Sequence, residues 1–273
     1  MTFLDELDSV RQTVQQEDCV LTRASFSAVR DLFIHAADDP RVDAALRRLA
    51  PDLHVNEHFL NVDVAGNPAC CSDAVVEEAR ALCAKAPGFE RWFREHQAAE
   101  GPTLLMGRWL AHLIGFRHRA IHVFLDHPVL SEYTFVQFRS LSKCGYPGCF
   151  DIAVGGHTKG AAAIEDTVAT EIAEELGFDV ERDIQGLVPI AVYEHIDPPA
   201  RLAFRDVEYR TVMAGRLTEP ALGRCRFMDG EVAALCLFLT HELQALIDTH
   251  PERIASGLLG SFPHYVAWRA AQA

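Results

Sequence analysis

The chain predicts an α/β protein: a mixed sheet between helices over residues 116–273, preceded by a mainly helical domain over residues 1–115. Three observations carry that prediction. Up to about Phe116, apolar residues recur at helical intervals. From His118 they give way to short runs of β-branched and aromatic residues bounded by turn residues, as an α/β/α sandwich requires. Between those runs stands one helical pattern with a glycine, Gly177, at its end.

Taken in order, Thr2 to Gln16, Ser25 to Ala37 and Arg41 to Leu49 carry helical spacing, and Pro40 and Pro51 interrupt it. Phe59 to Val64 reads as a strand with the turn Ala65-Gly66-Asn67-Pro68 behind it. Ser72-Asp73 caps a helix running to about Ala84, and Gly88 to Ala98 is a second. Leu104 to Gly115 is an apolar helix leading out of the first domain. The aromatic and leucine stripes of this portion read as core or as contacts of a homodimer.

In the second domain Arg119 to Leu125 and Tyr133 to Phe138 are strands separated by Asp126-His127-Pro128. Asp151 to Val154 is a short strand feeding the glycines Gly155 and Gly156. After the helix that Gly177 closes, Gly186 to His195, Glu208 to Leu217 and Glu231 to Leu239 read as strands. His241 to Thr249 and the amphipathic tail from Pro251 to Trp268 read as helices.

The chemistry is concentrated in that glycine-to-helix passage. Glu171, Glu174 and Glu175 stand at i, i+3 and i+4, which puts three carboxylates on one helix face. Like charges at that spacing repel, and a hard divalent cation such as Mg²⁺ or Mn²⁺ relieves the repulsion. Gly177 then supplies a left-handed cap, and the apolar Phe178 anchors the exit.

The passage resembles the Nudix box: a glycine, five residues, Glu, seven residues, then Arg-Glu-hydrophobic-x-Glu-Glu-x-Gly-hydrophobic. Counted from Gly156, the residues Glu171, Glu174, Glu175, Gly177 and Phe178 match. Ala162 stands where the box has its first Glu, and Thr170 where it has Arg. In the family that Arg orients the glutamates and that Glu supports the loop.

A second, more specific resemblance runs over about residues 118–235. Arg139-Ser140-Leu141-Ser142-Lys143, Tyr146-Pro147-Gly148-Cys149-Phe150 and Gly156-His157 are similar to the Arg-x-x-Ser-Lys, aromatic-Pro-Gly-x-aromatic and Gly-His signatures of the isopentenyl-diphosphate isomerase branch of the Nudix superfamily. The resemblance implies that Arg139 and Lys143 grip a diphosphate beside Gly155 and Gly156. It implies that His118 and His157 ligate metal, and that the acidic pair Asp206 and Glu208 contributes, with Glu231 as a competing carboxylate. The isomerases carry a catalytic cysteine immediately before Gly-His, where this chain has Gly155. Without that thiol the expected activity is hydrolysis, with Glu171, Glu174 and Glu175 as catalytic residues and Mg²⁺ or Mn²⁺ as cofactor. The implied substrate is a diphosphate linkage in a small phosphorylated metabolite, a nucleoside diphosphate joined to another moiety. Two alternatives stand beside it: a silent Nudix-fold ligand sensor or interaction module, favoured by Ala162 and Thr170, and a prenyl-diphosphate isomerase-like enzyme.

Composition agrees with a soluble enzyme. The 273 residues are 49% hydrophobic, enough for one large core or two modest ones. The net charge of −14 is spread along the chain, with 11 basic against 18 acidic residues up to Phe116 and 14 against 21 after it. An acidic chain with no basic half lacks the positive groove that a nucleic acid polymer needs. No apolar run is long enough to span a membrane and the acidic start carries no leader pattern, so a cytoplasmic location is expected. The eight cysteines show neither zinc-site spacing nor a regular framework and read as reduced thiols.

Overall fold

The structure, a computed structural model, describes residues 3–36, 57–69, 105–143, 145–197, 205–228 and 230–272. The helices expected over 41–49, 72–84 and 88–98 lie outside these residues. Two compact units are present: residues 1–119, 158–161 and 194–209 form the first, and residues 120–157, 162–193 and 210–273 the second.

The first unit opens with two helices, α1 (Phe3–Gln16) and α2 (Arg23–Ala36). Leu7, Val10 and Val14 make the buried stripe of α1. The helix α2 begins two residues earlier than its apolar pattern suggests, because Thr22 and Ser25 cap it reciprocally. The Ser25 amide donates to Thr22 Oγ1 at 3.2 Å and the Thr22 amide to Ser25 Oγ at 2.8 Å. Strands β1 (His58–Leu60) and β2 (Leu105–Gly107) pair antiparallel. The helix expected over 104–115 is therefore shortened to α3 (Arg108–Ile114), since its first residues satisfy their backbone by pairing with β1. Gly115, at φ 94°, closes α3 in the left-handed conformation that a side chain resists.

The strands β3 (His118–Asp126), β4 (Tyr133–Arg139), β5 (Phe150–Ile152), β6 (Val154–His157), β7 (Ile184–Ile196), β8 (Val207–Leu217) and β9 (Val232–Leu239) make one seven-stranded sheet. Its order is β5-β4-β3-β8-β7, with β6 on β3 and β9 on β4. The segment expected as one strand over 151–154 is two. The second of these runs through both glycines, pairing Gly155 with His122 and Gly156 with Ile121. Those glycines thus stand in a strand and not in a loop.

Period-two alternation along β3 divides the core of the second unit. Ile121, Val123 and Leu125 face a cluster with Val168, Ile172 and Leu176 of helix α4 (Ile164–Leu176). Phe124 faces a cluster with Leu243 of α6 (Thr240–Thr249) and with Leu258, Phe262 and Tyr265 of α7 (Ser256–Ala270). The short helix α5 (Val180–Asp183) separates α4 from β7. This is the α/β/α sandwich that the sequence predicts. The C-terminal helix starts at Ser256 and not at Pro251, because Ile254 first bridges to Phe150 at the sheet edge.

Candidate active site and metal centre

The glutamate helix is built as its spacing requires. Gly177, at φ 70°, donates its amide to Ala173 O at 3.1 Å, and Phe178 is only 2% exposed, a burial that contributes about 2 kcal/mol. The three carboxylates, however, have different surroundings. Glu174 is exposed, Glu171 half-buried and Glu175 buried, with Glu175 Oε2 accepting a hydrogen bond from Gln137 Nε2 at 3.2 Å. Glu171 lies directly on β6: a Cβ added to Gly156 would come within 2.3 Å of Glu171 Cδ and 2.6 Å of its Oε2. Only glycine lets that carboxyl reach the strand. Thr170, at the box arginine position, is exposed, and Ala162 is half-buried.

Gly155 is crowded in another direction. A Cβ there would meet Ile152 Cδ1 at 2.8 Å and His122 Cδ2 at 3.7 Å, so a side chain at this position displaces Ile152. Arg139 and Lys143 both carry carboxylate partners. Arg139 Nη1 donates to Asp151 Oδ2 at 2.9 Å while its Nε and Nη2 reach Gly145 O, and Lys143 pairs with Glu231. His157 ends β6, half-buried, opposite Ala120.

In the first unit the donors His112 on α3, His118 at the start of β3 and Asp206 just before β8 present ligand atoms within 4.8 Å of one another. Among the described residues Glu171, Glu174 and Glu175 are not gathered in this way. Both imidazoles are buried, at 2% and 1% exposure, and their Nε2 atoms lie 3.8 Å and 3.4 Å from Asp206 Oδ1. Glu208, two residues on and inside β8, is buried. Phe59 stacks on the His118 ring at 4.6 Å and 16°, which holds its plane.

The ring state of His118 follows from its neighbour. Its Nδ1 is 3.0 Å from Phe116 O, a carbonyl that only accepts, so Nδ1 carries a proton. Its Nε2 faces Asp206 Oδ1, and either a proton on that nitrogen or a cation between the two would join them. A backbone bond to the second ring nitrogen is the usual support of a metal-ligating histidine. Two imidazoles and a carboxylate fit a divalent transition ion; an all-carboxylate set suits Mg²⁺ or Mn²⁺ better.

Sequence reasoning named His118 and Asp206, and with them Glu208, which is not among the gathered donors, but missed His112. The signal was available, since a second histidine precedes His118 by one short loop. It also missed the buried chain in which His122 Nδ1 lies 2.6 Å from Ser261 Oγ and Tyr193 OH 2.9 Å from the same oxygen. The residues of that chain are far apart in sequence, but His122 follows His118 at period two and so shares its face of β3.

No family model matches the chain, and no curated protein matches it. Solved structures do. The protein DR0079 of Deinococcus radiodurans is 20% identical over 53% of this chain and 80% of its own, with a TM-score of 0.43. A Nudix hydrolase of M. smegmatis, RenU, is 16% identical over 57% of this chain and 88% of its own, with a TM-score of 0.42. The Nudix domain of Shewanella oneidensis NrtR, solved with ADP ribose, is 12% identical over 57% of this chain and 91% of its own, with a TM-score of 0.42.

Proposed function

We propose that this chain is a divalent-metal-dependent hydrolase of Nudix type that cleaves a diphosphate linkage in a small phosphorylated metabolite. The observation that carries the reading is the seat of Glu171 on Gly156. Two elements of the box, its glycine and its first helix glutamate, are in contact, and the bare backbone of the glycine is what lets the carboxyl lie there.

In this reading Glu171 holds an attacking water at a fixed point and accepts its proton at a carboxylate oxygen. Glu175, steadied by the Gln137 amide, completes the acidic face, and the exposed Glu174 stands at its rim. Arg139 and Lys143 exchange part of their contact with Asp151 and Glu231 for the oxygens of the diphosphate. Glu171, Glu174 and Glu175 would hold a divalent ion, which would supply neutralisation of phosphate charge and acidification of water; His112, His118 and Asp206 would hold an ion of their own. The substrate class proposed is a nucleoside diphosphate joined to another moiety.

A screen of nucleotide sugars, dinucleoside polyphosphates, NADH, coenzyme A and prenyl diphosphates with Mg²⁺, Mn²⁺ or Zn²⁺ tests the reading. Release of phosphate or nucleotide monophosphate is expected from at least one. No release from any, combined with binding of one of them, favours the second reading, a ligand sensor, for which Ala162 and Thr170 speak. An isomerase reading is disfavoured by Gly155, where Ile152 occupies the side-chain space.

A further inference from the structure

His118 and Asp206 lie on separate stretches of the first unit, and their 3.4 Å approach has to be held by something other than themselves. The residue beside His118 does this. Arg117 is 2% exposed, and its guanidinium ties three segments together. Nε and Nη2 meet Glu194 Oε1 at 2.7 and 2.5 Å, on β7. Nη1 donates to Asp18 O at 2.7 Å and Nη2 to Asp18 Oδ1 at 3.1 Å, in the turn between α1 and α2.

Each end of this brace continues toward a metal donor. On one side, β7 runs from Glu194 to Ile196, and the next residue, Asp197, donates its amide to Asp206 O at 2.9 Å. The Glu194 end of the brace is thereby registered against the strand that presents Asp206. On the other side, the Arg117 backbone is fixed by its amide on Cys19 O at 3.0 Å and by its carbonyl, which accepts from Asn61 Nδ2 at 2.8 Å and the Val62 amide at 3.0 Å. The orientation of the next residue, His118, is set by these bonds.

The turn at the far end is itself strained. Asp18 and Cys19 are consecutive non-glycine residues at φ 58° and 55°, a left-handed conformation that side chains adopt only where their surroundings impose it. Arg117 and Asn61 impose it, since both side chains donate to carbonyls of that turn.

We propose that Arg117 is the positioning residue of the His112–His118–Asp206 centre, and that through it the α1–α2 turn and Glu194 support that centre. The inference rests on the metal reading of this donor set, whose ion class is a divalent transition metal. It assigns the N-terminal helices a role in the site that neither motif suggested.

The test uses the full chain and Co²⁺ as probe, because its visible ligand-field spectrum reports donor geometry independently of turnover. Arg117→Lys keeps the charge but not the fork that serves Glu194 and Asp18 together. Glu194→Gln keeps the shape at a side chain that is one-third exposed, and so preserves the fold if Arg117→Lys does not. Wild type is expected to bind Co²⁺ with a visible spectrum. Both substitutions are expected to weaken Co²⁺ binding at least tenfold and to shift the bands, with far-ultraviolet dichroism unchanged. Wild-type affinity and bands in Glu194→Gln and in any folded Arg117→Lys, even with lowered thermal stability, would make the brace merely structural and overturn the proposal. An absence of Co²⁺ binding in wild type itself would instead overturn the metal centre, and the proposal with it; hydrolysis at the glutamate helix is read separately by product release.

Discussion

The carboxyl of Glu171 rests on the backbone of Gly156, so closely that a methyl group on Gly156 would fall within 2.3 Å of its carboxyl carbon. The contact joins a helix residue to a strand residue through the absence of a side chain. Gly156→Ala is therefore expected to push the carboxylate off the strand. The obstructing group is the end of a side chain and can move, so the fold survives. Hydrolysis should fall at least 100-fold with a thermal midpoint within a few degrees of wild type, on the order of 1 kcal/mol. Steady-state kinetics beside a melting curve check it, and undiminished turnover would show that Glu171 works from elsewhere.

Gly177 makes a contrasting prediction at the other end of the same helix. At φ 70°, with Arg226 O 3.1 Å from where a Cβ would stand, Gly177→Ala is strained by its backbone and by its neighbour. A loss of about 1–2 kcal/mol is expected in denaturant unfolding, larger than the cost at Gly156. Substrate affinity should be unchanged.

Asp183 governs the acid limit of stability. It is fully buried between Arg182 and Arg224, and accepts the Asp179 amide at 2.9 Å. The hydrogen bond from Arg182, with help from the Asp179 amide and Arg224 against the opposing effect of burial, holds its carboxyl well below the usual carboxylate range. A depressed folded value means that this contribution is complete above the unfolded value near 4, and is lost as pH falls from there toward the folded value. Asp183→Asn should lower stability by about 2–3 kcal/mol at neutral pH and by progressively less as pH falls below 3 toward the folded value, as read by urea unfolding across pH. An equal loss at both pH values would contradict the linkage.

The two cations of the diphosphate clamp are expected to separate on substitution. Arg139 braces Asp151, whose Oδ1 accepts the Leu258 amide at 3.0 Å at the start of α7, whereas Lys143 meets the half-exposed Glu231. Arg139→Ala should weaken pyrophosphate binding about tenfold and also lower the thermal midpoint. Lys143→Ala should weaken binding with little change in stability, because exposed ion pairs contribute about 0–1 kcal/mol. Calorimetric titration with pyrophosphate distinguishes these outcomes from two surface charges with no ligand.

The parts of the fold legible from the sequence were those where local pattern and burial agree. The strands β3, β4, β8 and β9 and the helix closed by Gly177 follow from apolar spacing and a capping glycine, which depend on near neighbours alone. Leu105 to Gly107 misled because an apolar triplet before a helix satisfies either period, and only a partner strand remote in sequence decides between them. The same holds at the site. Glu171 and Gly177 were legible as a motif, while the Arg117 brace depends on contacts across many tens of residues that no spacing rule encodes. The hydrogen bond of Glu175 was hidden for the same reason, since Gln137 comes from a strand 38 residues away.

If the carboxylate seated on Gly156 performs metal-dependent diphosphate hydrolysis, wild type and Glu171→Gln will differ sharply on the best substrate of the screen. Gln keeps the shape and removes the charge. With Mg²⁺ or Mn²⁺ present, product release by wild type is expected, with a fall of at least 100-fold in kcat for the variant, about 2.7 kcal/mol of transition-state stabilisation, and folding intact. Full activity in Glu171→Gln, or release by wild type that is unaffected by chelating the metal, would contradict it.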